Sequence, residues 1–171
     1  EGKPVLNDRQ QLYPHSALAV DYDRDGRMDI VVMDDRGTLS PVYRNVDGNH
    51  FEQNSEAIGV VNFSLGMSVA AGDLFGDGRI AMVMTNANFH ALNRLIDSCR
   101  KNWGIHGIDE APGLKVFRGL SNGRYADWTN GSGLEWAGEG LAGVEVVDYN
   151  LDGHPDLFVS NGLWSGTDRK Q

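Results

Sequence analysis

The sequence predicts an all-β fold made of four-stranded antiparallel blades of the β-propeller type, interrupted by one short helical insertion. Three observations predict it. Glycine supplies 22 of the 171 residues, well above an ordinary share of about 7%, and no three-residue period accompanies it, so the excess marks turns. A nine-residue Asp/Gly-rich segment occurs three times, at 21–29, 73–81 and 148–156, each time between two short apolar runs. The stretches that follow the first two copies also match one another. Repeats of about 40–50 residues that cannot bury both faces alone are how propeller blades read in sequence.

The elements follow in chain order. After residues 5–13, the first unit covers about 14–65: an apolar run at 17–20, the loop 21–29, a run at 30–33, and a hairpin over 42–51. The hairpin turns at Asp47-Gly48, a pair suited to the positive φ of tight turns. The second unit, about 66–140, repeats this order with runs at 67–71 and 80–84 and a hairpin over 116–125 turning at Asn122-Gly123. Ile58-Gly59 and Gly133-Leu134 close the two units. Residues 87–112 are an insertion in which Phe89, Leu92 and Ile96 fall on one helical face, which predicts a short helix on an excursion. A third unit, 141–171, holds only its opening runs and loop. Residues 1–171 thus read as a single propeller segment. A closed propeller needs at least four blades, so the segment is expected to belong to a larger propeller or to close by assembly.

Composition narrows the partners. The net charge is −9, from 15 Lys+Arg against 24 Asp+Glu, which disfavours nucleic acid, whose binding needs a basic surface. Nine of the seventeen Asp lie in the three loops, a local clustering of the kind that cation sites show. One cysteine, Cys99, allows no internal disulfide and leaves the redox compartment open. No apolar run is long enough to span a membrane, and the start Glu1-Gly2-Lys3-Pro4 has neither an initiator Met nor a signal-peptide pattern, as expected of a processed chain or a fragment.

The loops carry the chemistry. A hard cation such as Ca²⁺ takes six to eight oxygen ligands, and a tight loop can aim alternate side chains and one carbonyl inward if glycine makes the sharp turn at position six. In the first loop Asp21, Asp23, Asp25 and Asp29 supply carboxylates and Arg27 a backbone carbonyl. In the third, Asp148, Asn150, Asp152 and Asp156 do so, with the His154 carbonyl. An EF-hand would need Glu at position twelve, where Val32 and Val159 stand. The middle loop has Phe75 and Ala81 at positions three and nine, leaving Asp73 and Asp77, and is expected to be a metal-free turn. Two Ca²⁺ sites are therefore predicted, with binding coupled to folding, because uncompensated carboxylates repel.

The loop 21–29 with the run that follows it, the segment 66–73 and Asn161-Gly162 together resemble the FG-GAP/VCBS repeats of integrin α-subunit-like propellers. The likeness is nearest to the set that includes UnbV-type proteins and cartilage acidic protein, and it covers most of 14–164 outside the insertion. It implies a seven-bladed or similar propeller outside the cell, at the cell surface or in the periplasm, with Ca²⁺ held in the loops as structural support.

Catalysis has no visible constellation. His15, His50, His90, His106 and His154 are scattered, and no metal-binding or nucleophile motif joins them. Trp128 and Trp136 fit blade packing, whereas Trp103 lies in the insertion and is the candidate for an exposed contact. The expected function is a non-catalytic, calcium-stabilised scaffold or recognition module for a protein or glycan. The alternatives are a propeller belonging to a polysaccharide lyase-like enzyme, or a lectin.

Overall fold

The computed structural model describes residues 12–35, 37–87, 113–134 and 141–161. These residues form an all-β molecule. Strands β1 (Pro14–Val20), β2 (Asp29–Asp34), β3 (Val42–Asn45) and β4 (Phe51–Gln53) make one antiparallel sheet in the order β1-β2-β3-β4. Strands β5 (Gly66–Gly72), β6 (Ala81–Asn86), β7 (Leu114–Gly119) and β8 (Tyr125–Asp127) make a second in the same order, and β9 (Leu141–Val147) pairs with β10 (Asp156–Asn161) to begin a third. The helix expected at 89–96, Cys99, Trp103 and Trp136 lie outside the described residues. No helix among the described residues is long and apolar enough to cross a membrane.

The sheets stack face to face, and strand alternation decides which side chains go to which interface. On β6 every residue is buried, because its sheet is covered on both sides. Met82 and Met84 join Val31, Met33, Val42 and Phe117 against the first sheet, while Val83 joins Leu114, Val116 and Val144 against the third. A strand buried on both faces reads as a continuous apolar run, as this one does over Ala81–Met84 before ending in the buried polar Thr85 and Asn86. The first strands β1, β5 and β9 lie side by side, each next to the one in the following sheet. Small residues permit this approach: a Cβ on Gly72 would come within 2.8 Å of Val146 Cγ1.

The two complete sheets end alike. The Ser55 hydroxyl accepts from the Val42 N–H at 2.7 Å, and the Thr129 hydroxyl accepts from the Val116 N–H at 3.2 Å. Helix α1 (Ser55–Ile58) follows the first of these contacts and a 3-10 turn (Thr129–Gly131) the second. The hairpins differ in detail from the expected tight turns. Val46 donates to the His50 carbonyl and Leu120 to the Arg124 carbonyl, so each closes over three residues. A single glycine in each, Gly48 at φ 89° or Gly123 at φ 74°, takes the left-handed conformation. Asp47 instead accepts the Asn49 and His50 N–H groups on its carboxylate.

Candidate metal centre

The three Asp-rich loops share one backbone. Position four is left-handed in each, at Arg24 (φ 60°), Gly76 (φ 63°) and Leu151 (φ 60°), and so is position six, at Gly26 (φ 87°), Gly78 (φ 78°) and Gly153 (φ 88°). The first Asp builds this shape by accepting two backbone N–H groups. Asp21 Oδ1 and Oδ2 take those of Asp25 and Gly26, Asp73 those of Asp77 and Gly78, and Asp148 those of Asp152 and Gly153, all between 2.7 and 3.1 Å. The fifth residue then accepts the N–H of the seventh, at Asp25, Asp77 and Asp152. Positions one and five therefore fold the loop whether or not a cation is bound. That accounts for their presence in the middle loop.

Positions three and nine are the surplus carboxylates. In the first loop Asp21, Asp23 and Asp29 each bring one carboxylate oxygen within 4.8 Å of the others. At an effective dielectric near 20, two charges at that separation repel by about 3 kcal/mol. Asp29 is fully buried and accepts the Tyr22 N–H at 3.1 Å and the Asn45 N–H at 2.8 Å. Burial, partly offset by those two bonds, pushes its carboxyl above the usual range. Asp25 does not join this trio. Its second oxygen is paired with Arg27 and lies 3.5 Å from Arg44.

Two residues missed by the sequence reading complete the first loop. Arg44 on β3 donates Nε to Asp23 Oδ2 at 2.8 Å, and Asn45 donates its backbone N–H to Asp29. The signal for Arg44 was present, since Val42-Tyr-Arg aligns with Val116-Phe-Arg. In the second sheet Arg118 donates to Asp77 at 3.0 Å and lies 4.3 Å from the centre of the Phe75 ring. An aromatic face thus stands where Asp23 stands in the first loop. The Arg118 hydrogen bond, with the N–H and charge of Arg79, holds Asp77 below the usual carboxylate range. Arginines balance the middle loop without further oxygen donors. Trp128, expected as blade packing, is instead partly exposed beside Arg118, which lies 5.2 Å from its ring.

The third loop repeats the first but is open to solvent. Asp148, Asn150 and Asp156 occupy the places of the clustered trio. Asp156 accepts the Tyr149 N–H at 3.1 Å, and Asn150 Nδ2 donates to Asp152. The residue at position two anchors the first loop: Tyr22 meets Tyr125 of the second sheet edge to face, ring centres 6.2 Å apart. Its counterpart Tyr149 is 76% exposed.

Leu151, 87% exposed, holds a left-handed φ that β- and γ-carbons disfavour by about 1–2 kcal/mol. Leu151→Gly is expected to raise stability by about 0.5–1 kcal/mol, the relief of strain exceeding the entropy that glycine adds to the unfolded chain. Denaturant melts of the two proteins measure it.

Residues 21–84 match the family model of the FG-GAP-like repeat. The match runs from the first Asp of the first loop through most of β6, that is, from one loop into the strand after the next. No curated protein matches the chain.

Proposed function

We propose that this chain is a calcium-pinned scaffold of the FG-GAP/VCBS kind, nearest the UnbV and cartilage acidic protein type, that works outside the cell or in the periplasm and presents its loops to a protein or glycan. The observation that carries the reading is the trio Asp21, Asp23 and Asp29, whose oxygens lie within 4.8 Å of one another although only Asp21 of the three belongs to the set that shapes every loop. The donors are all hard oxygens, as Ca²⁺ prefers. Asp21, Asp23 and Asp29 would hold the ion in the first loop, with the Arg27 carbonyl and, on release from its arginine partners, Asp25 filling the shell. In the third loop Asp148, Asn150, Asp152, Asp156 and the His154 carbonyl would do so. A bound ion supplies positive charge that offsets the repulsion among these carboxylates.

The role of the protein's own residues is mechanical. Position-one and position-five carboxylates fix the loop backbone, Asp29 ties the loop to β3 through Asn45, and Tyr22 ties it to the next sheet. Thermal unfolding in excess calcium and in chelator tests the reading. A ligand at about a hundredfold above its dissociation constant adds about 2.7 kcal/mol per site, so the melting temperature is expected to rise by roughly 5–10 °C for each site filled by calcium. Equal melting temperatures in both conditions would refute it.

A further inference from the structure

A groove beside the first loop is lined by three arginines although the chain carries −9 overall. It lies between that loop and the hairpin joining β7 to β8, with Arg24, Arg79, Ser121 and Arg124 on its walls and a volume of about 200 Å³. Asp23 is the one carboxylate among the described lining residues, and Arg44 already pairs with it; Arg79 already pairs with Asp77. Arg24 and Arg124 are exposed, and neither forms an ion pair with a carboxylate among the described residues. The Arg24 guanidinium reaches across from its loop to within 3.9 Å of where a Cβ on Gly78 would stand, so the charge is delivered onto the second sheet.

The space suits one charged group with a single ring, being smaller than the usual pocket for a larger ligand. Past the hairpin, a second cleft shares Arg79 and Ser121 and adds Asn122 and the partly exposed Trp128. That surface offers amide and aromatic groups for a neighbouring ring. Planar guanidinium forks match carboxylate and sulfate alike.

We propose that this groove binds the oxyanion of an acidic glycan, a uronate carboxylate or a sulfate ester, with Arg24 and Arg124 as its charged contacts. The proposal names the partner chemistry of the scaffold reading and rests on it for the choice of a glycan; the groove itself needs no metal. Because the chain is acidic overall, general electrostatic adhesion of an anion is disfavoured.

The test is a titration of the whole chain, in excess calcium, followed through backbone amide NMR shifts. The probes are a heparin-derived oligosaccharide, a sulfate-free galacturonate oligomer and an Asp/Glu-rich peptide. Saturable shifts at Gly78, Gly119, Ser121 and Gly123 are expected with at least one oligosaccharide, and comparing the two separates sulfate from carboxylate recognition. Arg24→Gln combined with Arg124→Gln is expected to weaken binding about tenfold or more with the melting temperature unchanged. Arg124→Gln alone, on the exposed hairpin, serves if the loop variant does not fold. No shift in the groove with either sugar, undiminished binding by the variants, or binding of the peptide alone would overturn the proposal. Calcium-dependent melting is recorded on the same samples, so a failure of the metal loops and a failure of the groove are read separately.

Discussion

Phe117→Ala is expected to destabilise the fold by about 3–5 kcal/mol, the range for emptying an aromatic site in a close-packed core. Phe117 is 1% exposed and packs with Met82, Met84 and Val42 between the first two sheets. These neighbours lie on β6 and β3, strands held in different sheets by backbone ladders, so they cannot all collapse into the space. The denaturant midpoint should fall while the slope of the transition stays the same. Phe158→Ala supplies the contrast. That ring is 65% exposed on the third sheet, and its loss is expected to change stability by no more than about 0.5 kcal/mol. Equal effects at the two positions would contradict the stacking of sheets described here.

The second large effect is expected at Asp29. Asp29→Ala removes the acceptor for the Tyr22 and Asn45 N–H groups and leaves both donors buried. Each unsatisfied group costs about 1–3 kcal/mol, or about 2–6 kcal/mol together, against which loss of the charge relieves about 3 kcal/mol of repulsion with its neighbours, so a net loss of about 1–3 kcal/mol is expected in chelator, before any metal is considered. Ala81 occupies the equivalent place in the middle loop, which has the same backbone, so the variant should lose stability and keep the fold. Asp156→Ala, in the open third loop, should cost less, because water can satisfy the freed Tyr149 N–H. Urea melts of the two variants in chelator check the order. In calcium the Asp29 deficit should widen.

Much of the fold was legible because its signals are local. Short apolar runs, turn glycines and the matched hairpin segments located the strands of both complete sheets. What escaped depends on side chains meeting across strands. Residues 54–58 carry no helical stripe, and α1 forms where Ser55 turns its hydroxyl to the Val42 N–H. Asp47-Gly48 marked the turn correctly, but Asp47 acts through its carboxylate and not through a positive φ. Spacing alone also made every Asp in a loop look like a ligand. Comparison with the middle loop divides them: Asp21 and Asp25 shape the backbone as Asp73 and Asp77 do, whereas Asp23 and Asp29, which also accept backbone N–H groups, stand where the middle loop keeps its shape with Phe75 and Ala81. Arg44 was missed because its carboxylate partner lies 21 residues away, a distance that periodicity does not bridge.

The first and third loops carry oxygen donors at positions three and nine, where the middle loop has Phe75 and Ala81. Native mass determination of the chain in calcium, beside the same chain after chelation, counts the ions directly. Two bound ions are predicted for the chain and one for Asp23→Ala, which keeps the loop-building pair Asp21 and Asp25 while removing a surplus oxygen donor. No bound ion, a third ion in the middle loop, or two ions retained by Asp23→Ala would contradict the calcium reading.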